Sequence, residues 1–238
     1  MFILITGTSS GIGHALARGY LENGHRVFGI SRNHSEDLET FPEFHFLEQD
    51  ISEFEEVKVN MAGLLQGVEQ IDLVILNAGI LPEIKDLGET TLEEIRRIMD
   101  VNVWANKIII DALFESSRIV KQIVAISSGA AVSGSRGWNA YALSKATLNM
   151  LIDLYSEEQP DTHFTALAPG IINTGMQEYI RNLPEGDRFP VVKKLRHLYE
   201  TSRMPDPGEE ADKLIKAIET VRKLETGSFV DVRELQPD

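Results

Sequence analysis

Short apolar runs alternate along the chain with longer segments that repeat at the period of a helix. The apolar runs are bounded by turn residues and predict strands at 2–5, 25–30, 44–47, 71–76, 119–126, 163–167 and 228–232. The longer segments predict helices after Gly13, at about 52–66, 92–116 and 139–158, and from Pro207 toward Gly227. Strands that alternate with helices build βαβ units. The predicted fold class is therefore α/β, a single-domain doubly wound parallel sheet of Rossmann type with helices on both faces.

This alternation weakens between Ala168 and Pro207, where prolines and glycines interrupt short amphipathic pieces. A segment of this length with so little regular pattern is uncommon inside a compact domain unless it has a function. We therefore expect a flexible lid at about 175–205, within one domain that spans residues 1–238.

The charge balance narrows the set of partners. The chain has 238 residues, with 23 Lys and Arg against 37 Asp and Glu, and a formal net charge of −14. This negative field repels a phosphate backbone, so no nucleic-acid partner is expected. The absence of Cys excludes disulfides and thiolate catalysis, and the six His lack ligand spacing, so no metal site is expected. No apolar stretch reaches the ~18 residues of a membrane span and no signal-peptide pattern is present, which favours a cytoplasmic protein without membrane contact.

A glycine-rich turn follows the first predicted strand and opens a helix. Gly7 permits a tight turn, Gly11 lets a pyrophosphate approach bare backbone, and Gly13 allows the helix to pack closely on the strand. This context predicts a dinucleotide site whose first loop contributes Gly7, Ser9, Ser10, Gly11, Ile12 and Gly13. The alternative is a loop that only turns the chain.

A second group of polar residues indicates acid–base chemistry. Ser127 and Ser128 end the fifth predicted strand, and Tyr141 and Lys145 are four positions apart, so both project from one helix face. A nearby ammonium favours tyrosinate and draws the phenol pKa, ordinarily ~10, toward the working pH. Tyr141 is therefore a candidate general acid. A Tyr–Lys pair at this spacing also arises by chance on surface helices.

Together these motifs resemble the short-chain dehydrogenase/reductase family over about residues 2–174. The spacing Gly-x-x-x-Gly-x-Gly of the loop is that family's variant, and Ser128 lies thirteen positions before Tyr141, as the family's catalytic serine does. The resemblance implies a catalytic set of Asn102, Ser128, Tyr141 and Lys145, with a water held at the main-chain kink of Asn102. It implies hydride transfer to a substrate carbonyl, with Tyr141 protonating the oxygen, Ser128 bonding it and Lys145 gripping the nicotinamide ribose.

The same resemblance implies further cofactor contacts. Asp50, with Ile51 beside it, matches the family's acidic contact to the adenine amino group. The run Asn77-Ala78-Gly79 matches the element beside the adenine ribose, although Leu76 replaces its first Asn. The segment 169–174 matches the element that holds the nicotinamide carboxamide, with expected contacts at Pro169, Gly170, Ile172 and Thr174.

The end of the second strand bears on the choice between NAD and NADP. NAD enzymes place an acidic side chain there for the ribose hydroxyls, whereas this chain has Ser31 and Arg32. Arg32 offers a permanently charged donor fork to a 2′-phosphate, with Ser31 as a second donor, so NADPH is the expected cofactor. The alternatives are a surface arginine on an NAD-dependent alcohol dehydrogenase, or a non-catalytic nucleotide-sensing protein that kept the fold.

Within the family, the segments 127–130, 137–141 and 230–231 most resemble sepiapterin reductases and bacterial benzil reductases. This resemblance implies an NADPH-dependent carbonyl reductase for a small vicinal dicarbonyl substrate, with expected substrate contacts at Trp138, Met176 and Asp231. The setting Gly-x-x-Val-Asp of Asp231 resembles the pterin anchor of those enzymes. The alternative is that Asp231 merely ends the last strand at the surface.

The helices predicted near 92–116 and 139–158 carry apolar residues around more of their surface than one sheet contact covers. A helix that is apolar all round is normally buried. We therefore expect both helices to pair with their symmetry mates in a homodimer or homotetramer.

Overall fold

The central feature of the computed structural model, which describes residues 1–184 and 186–235, is a seven-stranded parallel sheet. Its strands are β1 (Phe2–Thr6), β2 (Arg26–Ser31), β3 (Phe44–Glu48), β5 (Leu73–Leu76), β7 (Gln122–Ile126), β8 (His163–Ala168) and β9 (Phe229–Asp231), in the order β3-β2-β1-β5-β7-β8-β9. A separate parallel pair joins β4 (Gln70–Ile71) to β6 (Ile119–Val120). The fold class predicted from the sequence is confirmed.

Helices cover both faces of the sheet. They are α1 (Gly11–Glu22), α2 (Phe54–Leu64), α3 (Leu92–Met99), α4 (Ala105–Glu115), α5 (Asn139–Glu158), α6 (Gly175–Arg181), α7 (Pro190–Glu200) and α8 (Pro207–Val221). Within residues 1–184 and 186–235, no helix is long and apolar enough to cross a membrane.

Two apolar layers, one on each face of the sheet, form the core. On one face Val74 of β5 belongs to a cluster with Ile109 of α4. On the other face Ile75 belongs to a cluster with Leu16 of α1 and Ile218 of α8. Successive residues of β5 thus enter opposite layers and are all buried, which is why this strand is apolar without alternation.

The strand order reverses beside β1. The chain adds β2 and β3 on one side of β1 and then returns to place β5 on the other side. In open parallel sheets, ligands bind beyond the carboxyl ends of the strands at such a reversal. The loop that follows β1 and Asn77, which follows β5, both lie at this point.

Most predicted elements are confirmed, but three long ones are interrupted. The helix predicted at 92–116 is divided by a π-helical turn, Asp100–Trp104, between α3 and α4. The strands predicted at 71–76 and 119–126 break at Asp72 and Lys121, and their first residues form the separate β4–β6 pair. Asp72 leaves the strand where its carboxylate accepts the backbone N–H of Phe2 at 2.8 Å.

The segment predicted as a flexible lid contains two helices, α6 and α7. Its apolar side chains form a small third cluster that includes Ile180, Phe189 and Val192. Pro190 begins α7 rather than interrupting it, because the first turn of a helix does not use the N–H that proline lacks. Much of this segment is therefore helical, and the two helices contribute residues to the cleft described next, while its action as a lid stays a prediction.

Candidate active site

A cleft of about 940 Å³ opens at the strand reversal, beyond the carboxyl ends of β1, β2, β5, β7 and β8. This volume is at the upper end of the ~300–1,000 Å³ typical of ligand pockets. The site residues predicted from the sequence all line it except Asn102 and Gly13, which are buried behind its wall. The structure therefore brings the predicted residues together in one place.

The glycine loop lies at the base of this cleft, and at Gly7 and Gly13 its backbone packs too closely against its neighbours to admit a side chain. Gly7 adopts a φ of 77°, and a β-carbon there would lie 2.8 Å from Asn77 Nδ2. A β-carbon on Gly13 would lie 2.3 Å from the carbonyl oxygen of Gly7. Asn77 fixes the loop by donating from Nδ2 to the carbonyl oxygens of Thr6 and Gly7, at 2.9 and 3.2 Å. Helix α1 begins at Gly11, so its N-terminus faces the cleft.

The end of the cleft beyond β2 and β3 has the features expected of an adenosine site. Asp50 accepts hydrogen bonds from the backbone N–H and the hydroxyl of Ser52, at 2.9 and 2.7 Å, and Ile51 beside it is buried. The side chain of Arg32 is 61% exposed, with Nη1 4.0 Å from Asp50 Oδ2. The Ser31 hydroxyl donates to the carbonyl oxygen of Asn33 at 2.9 Å, so its proton is not free for a phosphate. The role of Ser31 as a second phosphate donor therefore stays a prediction, and it requires the hydroxyl to turn away from Asn33.

Ser128, Tyr141 and Lys145 meet beside the end of β7. Hydrogen bonding with Ser128 lowers the pKa of Tyr141, but burial has the larger effect and raises it above the ordinary value. Burial lowers the pKa of Lys145 to about 8, and its Nζ donates to the carbonyl oxygen of Ile126 at 2.7 Å. The hydroxyl of the other candidate serine, Ser127, donates to Asn149 Oδ1 at 2.5 Å. Ser128 is therefore the hydroxyl beside Tyr141.

The expected effect of Lys145 on the pKa of Tyr141 does not appear in this structure. Lys145 Nζ lies 5.9 Å from the centre of the Tyr141 ring, and its hydrogen bond goes to the β7 backbone. Burial raises the pKa of Tyr141 and so favours the neutral phenol. A neutral phenol is the form that a proton donor requires.

Asn102 occupies the π-helical turn and ties three elements together. Its Oδ1 accepts the backbone N–H of Ile80 at 2.8 Å, and its Nδ2 donates to the Ile80 carbonyl oxygen and to Ser144 Oγ, both at 3.0 Å. Its own carbonyl oxygen accepts from Asn106 Nδ2 at 2.9 Å. Asn102 thereby braces α5, the helix that carries Tyr141 and Lys145, while the water implied at its main-chain kink stays a prediction.

The segment after β8 closes the cleft opposite the glycine loop. Gly170 turns the chain with a φ of 82°. Thr174 occupies the N-cap position of α6, and its Cγ2 lies 3.6 Å from the point where a β-carbon on Gly11 would stand. Ile172 is buried beneath this segment, and Pro169 begins it. The two loops therefore approach each other closely and both line the cleft.

The predicted substrate residues lie at the end of the cleft nearest α6 and α7. The rings of Trp138 and Tyr141 are tilted, with their centroids 5.5 Å apart, and Met176 lines the opposite side. Asp231 reaches the cleft but both carboxylate oxygens accept from Arg233, at 2.8 Å from Nε and 2.5 Å from Nη2. A direct bond from Asp231 to an amino-pyrimidine would have to displace Arg233.

Two cations that the sequence did not single out, Arg233 and Lys194, also line the cleft. Arg233 had no motif to mark it except its place two positions after Asp231. Lys194 lies in α7, within the segment for which no helix was predicted. Their exposure to the cleft could be found only once the fold was known.

The cleft is electropositive although the chain is acidic. Its cationic residues are Arg32, Arg96, Arg97, Lys145, Lys194 and Arg233, and its acidic residues are Asp50, Glu93, Asp100 and Asp231. Cations thus outnumber carboxylates there, whereas the whole chain carries a formal net charge of −14. A phosphate-bearing dinucleotide fits this distribution, together with the glycine backbone at the base. Within residues 1–184 and 186–235, no three His, Asp or Glu side chains come together as a metal site.

Comparison with known proteins agrees with this geometry. A benzil reductase ((S)-benzoin forming) of Bacillus subtilis is 31% identical over 242 residues, covering 97% of this chain and 98% of that protein. A short-chain dehydrogenase/reductase of Saccharomyces cerevisiae has the same fold, with a TM-score of 0.88 at 24% identity, covering 98% of this chain and 96% of that one. ElxO with NADP bound gives a TM-score of 0.77 at 22% identity, covering 97% and 96% of the two chains.

The family profile that describes short chain dehydrogenases matches residues 1–184, which include the glycine loop, Ser128, Tyr141, Lys145 and the segment after β8. This match extends over more than half of the chain, and the Bacillus subtilis relative is similar over nearly all of it. The chain therefore belongs to the short-chain dehydrogenase family, whose members are oxidoreductases that bind a nicotinamide cofactor.

Proposed function

We propose that this protein is an NADPH-dependent carbonyl reductase that reduces one ketone of small vicinal dicarbonyl compounds. The observation that carries the proposal is the convergence of Ser128, Tyr141 and Lys145 at the end of β7, in the cleft that also contains the glycine loop. The similarity to a benzil reductase supports this substrate class, because benzil is a vicinal diketone.

In this proposal the side chains position the carbonyl group and supply its proton. NADPH, when bound, provides the hydride for the carbonyl carbon. Tyr141 donates its proton to the carbonyl oxygen, and burial keeps the phenol protonated at neutral pH by raising its pKa. Ser128 donates a hydrogen bond to the same oxygen and stabilises the negative charge as it develops. The ammonium of Lys145, 5.9 Å from the ring, then favours the tyrosinate that remains.

Asn102 is a positioning residue in this scheme. Its side chain bonds Ser144 Oγ at 3.0 Å, one position before Lys145. Removing this amide would leave the partly buried backbone groups of Ile80 without this partner and would remove one of the two hydrogen bonds of the Ser144 hydroxyl, so the helix that carries Tyr141 would be less firmly fixed.

The preference for NADPH rests on Arg32. No acidic side chain occupies the end of β2, and the guanidinium of Arg32 projects from it with 61% of the side chain exposed. ElxO, a protein of the same fold, binds NADP. NAD is the alternative cofactor. It is favoured by the position of Asp50 Oδ2, 4.0 Å from Arg32 Nη1, because this carboxylate partly compensates the positive charge that would attract a 2′-phosphate.

We further propose one domain for residues 1–238, with 175–205 as a substrate lid, in a cytoplasmic homodimer or homotetramer. Apolar side chains exposed near the π-helical turn and on α5 support the assembly. They are Trp104, Leu143, Met150 and Leu154, which are 39%, 46%, 56% and 55% exposed.

Two measurements test the proposed activity. Titration of the protein with NADPH and NADH, followed by cofactor fluorescence, gives both affinities. The substrate class is determined by following the consumption of NADPH, from its own absorbance at 340 nm, with benzil, 1-phenyl-1,2-propanedione and simple monoketones as substrates. We expect tighter NADPH binding and reduction of the vicinal diketones. Failure to reduce any vicinal dicarbonyl compound with NADPH would refute the substrate class.

A further inference from the structure

Arg233 is held in one orientation at the substrate end of the cleft. Its Nε and backbone N–H donate to Asp231 Oδ1 at 2.8 and 3.0 Å, and its Nη2 donates to Oδ2. The Asp231 side chain is only 7% exposed, whereas that of Arg233 is 57% exposed. A buried carboxylate thus fixes a guanidinium that stays open to the cleft.

The loop that follows Ser128 is close to this guanidinium. A β-carbon on Gly129, the residue after Ser128, would lie 3.6 Å from Arg233 Nη2. The stem of Arg233 passes Gly170, where a β-carbon would lie 3.9 Å from its Cγ. The guanidinium therefore lies between the serine loop and the segment after β8, where a group next to the reacting ketone would be placed.

One edge of the guanidinium remains available to a ligand. Asp231 takes the edge formed by Nε and Nη2, and within residues 1–184 and 186–235 the Nη1 atom donates to no protein acceptor. An arginine fork binds two acceptor oxygens at once, and it does so most strongly with a carboxylate. Lys194 of α7 lines the same cleft and has no carboxylate partner in the described part of the chain.

Resting on the proposed reductase function, we infer that Arg233 is a specificity residue that binds a carboxylate adjacent to the reacting ketone, so that 2-oxo acids are substrates of this site. Asp231 is then a positioning residue, since it orients the guanidinium and does not touch the substrate. Lys194, which also lines the cleft, adds a second positive charge to its wall. This assignment gives the Asp231–Arg233 pair a role that differs from that of a pterin anchor.

A matched set of substrates isolates the carboxylate. Benzoylformate, its methyl ester and 1-phenyl-1,2-propanedione share the reacting aryl ketone, and only the first carries a negative charge. We would measure kcat/KM for each at saturating NADPH with the unmodified protein, Arg233→Met and Arg222→Met. Arg222 is an exposed arginine that does not line the cleft, so its variant controls for the loss of one positive charge.

Arg233→Met should lower kcat/KM for benzoylformate at least about tenfold through a higher KM, as expected for loss of a charge-assisted bidentate contact. The ester and the diketone should change less than threefold, and Arg222→Met should leave all three unchanged. Because Arg233→Met leaves Asp231 buried without its partner, the double variant Asp231→Asn/Arg233→Met is included, with the same expectation. Asp231→Asn alone keeps the guanidinium and should retain more benzoylformate activity than either.

Equal losses on the charged and the neutral substrates, or no loss on benzoylformate, would overturn the assignment. Calorimetric titration of benzoylformate into the protein saturated with NADP⁺ tests the inference independently of turnover, and we expect Arg233→Met to weaken binding at least about tenfold. If the diketone is reduced but benzoylformate does not bind, the inference fails and the proposed function stands. If none of the three compounds is reduced, the proposed function fails, and the calorimetric comparison decides the role of Arg233.

Discussion

The buried ammonium of Lys145 makes the stability of the cofactor-free protein depend on pH. Burial lowers its pKa from the ordinary 10.5 to about 8. Between these two values the unfolded chain holds more protons than the folded one, so the free energy of unfolding rises with pH in this window. This pKa difference lowers the free energy of unfolding by about 3 kcal/mol at neutral pH, and about 2 kcal/mol of that loss is recovered between pH 7 and pH 9.5.

Replacing Lys145 by Met should remove this pH dependence. We expect urea unfolding of the unmodified protein to give a free energy that rises by about 2 kcal/mol relative to Lys145→Met over that range. The range stops at pH 9.5 because the raised pKa values of the buried tyrosines, such as Tyr20 and Tyr155, reverse the trend above pH 10. Lys216→Met removes an exposed lysine and is the matched control, which should retain the pH dependence of the unmodified protein.

The comparison does not depend on how much Met alters the packing, because only the slope with pH is used. The lost hydrogen bond from Lys145 to Ile126 shifts the stability of the variant by the same amount at each pH. Parallel pH profiles for Lys145→Met and the unmodified protein would refute the reasoning, since they would mean that the ammonium is hydrated in the folded state.

Three further outcomes are expected. Gly13→Ala places a β-carbon 2.3 Å from the Gly7 carbonyl oxygen, so it should lower the free energy of unfolding by at least about 1–3 kcal/mol and weaken NADPH binding. Gly63→Ala is the control, because a β-carbon there meets open space, and it should cause neither effect. Thermal melts and fluorescence titrations measure the two effects. Arg32→Asp should weaken NADPH binding at least about tenfold while NADH binding changes little, and equal affinities of the unmodified protein for the two cofactors would contradict the role of Arg32. Light scattering at micromolar concentration should give a dimer or tetramer, and a monomer would remove the interpretation of the exposed apolar residues of α5.

The sheet and the cofactor loop could be predicted because each rests on local rules. The apolar strands are buried on both faces, so their runs stand out without any knowledge of tertiary structure. Gly7 and Gly13 were identifiable because turn geometry and close packing require glycine at those positions. Helix α5 begins and ends where its pattern predicts.

Other features depend on contacts that the sequence does not display. The π-helical turn at Asp100–Trp104 keeps an apolar helical pattern, so 92–116 looked continuous. The order of the pKa effects at Tyr141 follows from burial, which is a tertiary property. The Ser31 hydroxyl donates to the carbonyl oxygen of Asn33. The Arg233 guanidinium is held at the cleft by its hydrogen bonds to Asp231. None of these contacts has a spacing that a pattern search detects.

The decisive measurement compares Tyr141→Phe with the unmodified protein in single-turnover reduction of a vicinal diketone by NADPH. Removing the hydroxyl leaves the buried ring and the Trp138 contact in place, so NADPH affinity should stay within about twofold while the rate falls by at least the ~10²-fold typical of an acid–base group. A Tyr141→Phe protein that reduces the diketone at the unmodified rate would contradict the account, because the proton would then come from another donor.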